Sequence, residues 1–167
     1  MKISVDSYWN VTSATRRLKP DAVISIMDAA HLAPDLLLPQ ERHLQLGFHD
    51  IEKSEAGKTP PTQDQISRMI KFAEDHRRSG AHGLLIHCMA GVSRSPAAAY
   101  SLAVAVRKED PVRAAAQLFQ AAPFVSPNML MVQHADDLGG WRGMMTEAIR
   151  KARKTKGKVE QFAPFVI

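Results

Sequence analysis

Nine consecutive residues, His87-Cys88-Met89-Ala90-Gly91-Val92-Ser93-Arg94-Ser95, hold the chain's one cysteine and place an arginine six positions after it. A thiol and a guanidinium at that spacing suit an anion that is to be gripped and attacked in the same place. A tight loop running into a helix start turns several backbone N–H groups towards one spot, and the helix dipole adds partial positive charge. Met89, Ala90, Gly91, Val92, Ser93 and Arg94 would line such a phosphate-binding loop. Gly91 allows the positive φ that curls a backbone around an anion. Arg94 offers a planar bidentate grip on two phosphate oxygens, which lysine cannot imitate. The same field favours the thiolate of Cys88, the nucleophilic form. Ser95 can donate a hydrogen bond to that sulfur and so help the thiolate depart from a phospho-cysteine. His87 fits as an orienter of the loop through backbone carbonyls better than as a base.

The flanking segments must make a strand, a turn and a helix for this to work. Gly83-Leu84-Leu85-Ile86 reads as a buried strand, and the Ala-rich stretch from Pro96 to Val106 as a helix whose first turn tolerates proline. Upstream, Met1 to Val5 predicts a strand, Asp6 to Trp9 a turn, and Asn10 or Thr12 the cap of a helix that stops at Leu18 ahead of Pro20. Residues 22–27 predict a second, central strand, 28–40 a loop with a partial turn, and His43 to Phe48 a third strand. Thr62-Gln63-Asp64-Gln65 opens a helix with a capping pattern, which carries Ile66, Met69, Ile70 and Ala73 on one face and stops at Gly80. Three strand-plus-helix units thus lead to a loop at a strand's carboxyl end, where open α/β sheets hold ligands. Downstream, Pro111 to Ala122 predicts a helix with Val112, Ala115, Ala116, Leu118 and Phe119 as its apolar stripe. Met129 to Lys154 predicts one long helix or two broken at Gly139-Gly140, with Leu130, Met131, His134, Leu138, Trp141, Met144 and Met145 in the core.

His-Cys-x-x-Gly-x-x-Arg-Ser resembles the signature of the cysteine-dependent protein phosphatases, and Ala90-Gly91 with Ser93-Arg94-Ser95 looks most like the dual-specificity subgroup. A chance Cys-x5-Arg would rarely bring the histidine, glycine and serine with it. The resemblance implies a single-domain α/β fold of the protein tyrosine phosphatase kind. That fold has a central, mostly parallel sheet flanked by helices, with the phosphate loop between a strand and a helix. It implies hydrolysis of phosphomonoesters, phosphotyrosine or phosphoserine/threonine in proteins, through a phospho-cysteine. Expelling an alkoxide or phenoxide needs a general acid. The family carries an Asp for this on a loop after a strand, some tens of residues before the cysteine. Asp50 stands in such a place, in a polar loop that also offers His49, Glu52 and Glu55. Family members often have a polar group near the hydrolytic water, and Asn128 or Ser126 could supply it here or could simply cap the following helix.

The chain's 167 residues suit one domain: 1–150 as the catalytic unit and 151–167 as a basic C-terminal tail. A hydrophobic fraction of 45% is ordinary for a globular protein. One cysteine excludes an internal disulfide, and the absence of a secretory signal or a membrane-length apolar run points to the cytoplasm. The net charge of +5 suits an anionic substrate. Arg150, Lys151, Arg153, Lys154, Lys156 and Lys158 could meet nucleic acid or a membrane surface, although a solvated helix end is the commoner use of such a run. No zinc-type spacing or nucleotide loop occurs, so the chemistry calls for no metal and no cofactor. The expected partners are a phosphorylated protein or small phosphomonoester, with inorganic phosphate as product or inhibitor. Two other readings compete: a phosphate-binding module without turnover, and a sulfur-transfer or arsenate-reducing enzyme, whose usual extra thiols are missing. Lysines within the loop, frequent where inositol lipids are substrates, are absent at Met89 and Val92.

Overall fold

A computed structural model describes residues 1–31, 33–154 and 163–167. Its elements in chain order are β1 (Lys2–Ser7), α1 (Tyr8–Leu18), β2 (Ala22–Met27), β3 (His43–Gly47), α2 (Gln63–Arg78) and β4 (Gly83–Cys88). There follow α3 (Arg94–Ala105), α4 (Pro111–Ala121), α5 (Met129–Gly139), α6 (Met144–Lys154) and β5 (Phe165–Val166). The sheet order is β3-β2-β4-β1-β5, with β5 antiparallel to β1 and every other pairing parallel. This is the central, mostly parallel α/β sheet that the sequence predicts.

Alternation along the strands divides the core between two faces. Ile3, Val5, Ile24, Ile26, Leu84 and Ile86 face the side covered by α2 to α6. Val23 and Leu85 face the other side and pack on Val11 and Ala14 of α1 and on Leu36. Helix α3 lies in the middle of the larger layer, and every residue from Arg94 to Val104 is buried. Small Ala97, Ala98 and Ala99 let it seat close against the sheet, which fixes its N-terminus and with it the loop before it.

Several local expectations are corrected. Asp6 and Ser7 stay in β1, and α1 starts at Tyr8 without a turn; its N-cap is Ser7, with no side-chain capping bond, not Asn10 or Thr12. Strand β2 reaches β3 through a loop and a single 3-10 turn at Gln40–Arg42, so the third strand-plus-helix unit is missing. The capping box is present, with Thr62 accepting from Gln65 N. Helix α3 begins at Arg94, two residues before Pro96. The chain does break after Gly139, but Leu138 and Met144 are exposed at 41% and 53%, Val112 at 64%, and Ala116 is exposed as well, so these four leave the predicted apolar faces. Each sits on the solvent side of a helix whose other apolar residues pack against neighbouring helices. Of the basic run, Arg150, Lys151, Arg153 and Lys154 belong to α6; Lys156 and Lys158 lie outside the described residues. Among the described residues no helix is long and apolar enough to cross a membrane.

Candidate active site

Strand β4 delivers Cys88 to the carboxyl edge of the sheet, with Ser7 of β1 opposite it and Ser25 of β2 opposite His87. The loop from Met89 to Ser93 is then held at both ends. Tyr8, the first residue of α1, donates its backbone N–H to Met89 O at 3.0 Å, and Ser126 and Asn128 donate theirs to Val92 O and Ser93 O at 2.8 and 3.3 Å. Gly91 takes a φ of +76°, the left-handed conformation in which a side chain would be strained. That turn brings Gly91 N–H onto Cys88 Sγ at 3.3 Å, while Ser95 Oγ lies 3.1 Å from the same sulfur. Cys88 is a buried free thiol. The first N–H groups of α3 lack intrahelical partners and open on the loop.

The Arg94 side chain is only 5% exposed and is oriented by two acceptors. Its Nη1 donates to Asp28 Oδ1 at 2.7 Å and to Phe48 O at 2.8 Å. Its Nε is buried without a partner among the described residues. Two acceptors use both Nη1 hydrogens, so the Nε–Nη2 edge is the fork left for an oxyanion.

Asp50 reaches the loop as well. Its Oδ1 accepts from Ser93 Oγ at 2.8 Å and from Asn128 Nδ2 at 2.9 Å. The other candidates in that segment are engaged elsewhere. Glu52 accepts from Met129 N at the start of α5, Glu55 pairs with Lys58, and His49 Nδ1 accepts from Thr59 N. Asn128 caps α5 through Met131 N while holding Asp50, so the capping use and a place beside the loop coincide.

His87 is fully buried and sits in a polar chain. Its Nδ1 lies 3.4 Å from Cys88 O, its Nε2 lies 2.6 Å from Ser25 Oγ, and Ser25 Oγ lies 2.7 Å from His43 Nε2. A carbonyl can only accept, so His87 carries its proton on Nδ1. Ser25 then donates to His87 Nε2 and accepts from His43 Nε2–H. Burial pushes His87 down to about 4, against the pull of the Cys88 carbonyl, and burial lowers His43 too. Both rings are therefore neutral near pH 7, and His87 acts as a fixed strut.

Against solved structures the chain has clear counterparts. It is similar to the Cydia pomonella PTP-2 phosphatase, with a TM-score of 0.65 at 22% identity over 81% of this chain and 84% of that one. It is similar to DUSP15, with a TM-score of 0.63 at 20% identity over 94% of both chains. The human tyrosine phosphatase-like serine/threonine/tyrosine-interacting protein gives 0.64 at 17% identity over 84% and 92%. The fold is that of the cysteine-dependent protein phosphatases. No family model and no curated protein matches the sequence.

Within this phosphatase fold, three contributors to the site escape a motif reading. Asp28 stands one residue past β2 and looks like ordinary loop polarity. Phe48 contributes only a carbonyl, which no sequence pattern announces. Ser25 lies in the middle of an apolar strand, and a lone hydroxyl in such a run was the one available signal that a buried partner awaited it. Among the described residues no group of three or more His, Cys, Asp or Glu is arranged to hold a metal ion.

Proposed function

We propose that this protein is a phosphatase that hydrolyses phosphomonoesters through a phospho-cysteine intermediate. The observation that carries this reading is Arg94. A nearly buried guanidinium has one nitrogen tied to the protein and its Nε left unpartnered, in the same loop as a thiol that faces Gly91 N–H and the Ser95 hydroxyl. A buried, unsatisfied Nε–H is costly unless a ligand completes it, and a phosphate presents two oxygens at the spacing of the fork.

In the first step Cys88 Sγ attacks phosphorus in line with the ester oxygen. The P–S bond forms and the P–O bond breaks. Arg94 and the loop N–H groups hold the three remaining oxygens as charge builds on them. Asp50 gives its proton to the leaving oxygen, so the product departs as an alcohol or phenol. In the second step the Asp50 carboxylate takes a proton from water, whose oxygen attacks phosphorus. The P–S bond breaks, and the sulfur leaves as a thiolate that Gly91 N–H and Ser95 O–H stabilise.

The substrates proposed are phosphotyrosine, phosphoserine or phosphothreonine in proteins, with a small aryl phosphate as surrogate. The lack of a lysine at Met89 or Val92 argues against a highly charged inositol headgroup. The proposed compartment is the cytoplasm, where a free Cys88 stays reduced. The test is turnover of para-nitrophenyl phosphate by wild type and Cys88→Ser in the presence of chelator, together with inorganic phosphate binding. The expected result is turnover in wild type, none in the variant, and phosphate bound by both. A wild type that binds phosphate but never turns over would make this a phosphate-binding module. A Cys88→Ser variant as active as wild type would end the cysteine mechanism.

A further inference from the structure

We propose that Asp28 is the positioning residue that sets Arg94 in its anion-binding pose. This rests on the phosphatase reading of the loop. The register of the sheet supplies the geometry. Met27 of β2 lies opposite Gly47 of β3, so the next residues on the two strands, Asp28 and Phe48, emerge side by side at the carboxyl edge. Phe48 N–H donates to Met27 O at 2.8 Å and locks that pairing. The Asp28 carboxylate and the Phe48 carbonyl then face the same Nη1 of Arg94 at 2.7 and 2.8 Å.

Guanidinium shape makes this more than a surface ion pair. Nη1 is the nitrogen that does not share the Nε–Nη2 edge. Two acceptors on Nη1 therefore fix the rotation of the plane while leaving the side-on fork open. Phe48 O alone could anchor one hydrogen and would let the group swing about that point. Asp28 supplies the second anchor, and its charge offsets the cost of burying a cation on a side chain that is 5% exposed. Asp28 itself is 26% exposed and sits in a short turn closed by His31 N–H on its own carbonyl at 2.8 Å. It touches no reacting atom. Its effect on phosphate must pass through Arg94, and that makes the proposal separable from a simple packing role.

The experiment is a double-mutant cycle on the full chain, read as the affinity for inorganic phosphate by calorimetry and as kcat and KM with para-nitrophenyl phosphate. Asp28→Ala should weaken phosphate binding about tenfold or more, the scale of losing one charge-assisted hydrogen bond. KM should rise and kcat/KM fall with it. Asp28→Asn keeps an oxygen facing Nη1 and should stay within about threefold of wild type, because a neutral acceptor still fixes the plane. In an Arg94→Ala background, Asp28→Ala should change phosphate affinity no further, the signature of action through Arg94. Should Asp28→Ala fail to fold, Asp28→Ser suits the same turn but is too short to reach Nη1, and it should repeat the loss. The proposal is overturned if the alanine or serine variant binds phosphate like wild type. An equal loss with and without Arg94 overturns it as well. A wild type that binds no phosphate removes the functional reading first, and the role of Asp28 goes with it.

Discussion

Replacing His87 by glutamine should remove a specific part of the protein's acid sensitivity. In the fold, burial holds His87 at about 4, against its ordinary 6.5. The folded chain thus resists a proton that the unfolded chain accepts. The contribution to stability is therefore fully present above pH 6.5 and is lost as pH falls from there towards 4. From those two values, lowering the pH from 7.5 to 5 costs about 2 kcal/mol, roughly a thirtyfold rise in the unfolding constant. That is a sizeable part of a typical total of about 5–15 kcal/mol. Protonation at Nε2 would also turn the acceptor of the Ser25 hydroxyl into a second donor, so that the Ser25 O–H loses its partner. The assay is urea unfolding of wild type and His87→Gln at the two pH values. A glutamine can accept from Ser25 and donate towards the Cys88 carbonyl but cannot titrate. The wild type should lose about 2 kcal/mol more than the variant between the two conditions. An equal loss in both proteins would refute the argument, as would a His87 ring signal by NMR that titrates above pH 6.

Other substitutions test the remaining parts. Asp50→Ala should lower kcat on an alkyl phosphate by about a hundredfold or more and much less on para-nitrophenyl phosphate, whose leaving group hardly needs a proton; equal losses on both would remove Asp50 as general acid. Asn128→Ala deletes the cap on Met131 N and the amide on Asp50, so it should cost about 1 kcal/mol in urea unfolding and lower kcat on the alkyl ester more than on the aryl one. Asp136 is buried and accepts from the backbone N–H groups of Gly143, Met145 and Thr146. Asp136→Ala should destabilise by about 2–3 kcal/mol while kcat per folded molecule holds, and a kcat per folded molecule that falls as well would refute a purely structural role for Asp136.

The nine-residue run was legible because its chemistry is local. A strand that ends in Cys88, a glycine able to take a positive φ and an arginine at the start of a helix are consecutive, so residue type and spacing describe the loop almost completely. The same is true of Thr62 with Gln65, whose capping box spans three positions, and of the break after Gly139. Where the reading failed, the deciding contact came from far along the chain. Nothing at Tyr8 says that its N–H will hold the loop after Cys88 at Met89 O, so the sequence suggests a turn where α1 starts. Val112, Leu138 and Met144 are apolar at plausible spacings, but which side of each helix turns inward depends on how α4, α5 and α6 pack against α3 and one another.

Among the four acidic or imidazole groups of the loop after β3, the resemblance favours Asp50 in the sequence, with Glu52 and Glu55 as substitutes and His49 a weaker one. The tertiary structure separated them, because Ser93 and Asn128 approach Asp50 from two other elements. It likewise made Asp28 visible, through a β2–β3 register that sets two unrelated loop residues on one nitrogen of Arg94. The sequence by itself determined where the thiol, the cation and the loop between them stand, since adjacent residues carry their geometry with them. Only the fold decided what orients that cation and which acid faces the loop, because those contacts depend on parallel strands ending side by side, and strand pairing is a long-range property of the whole chain.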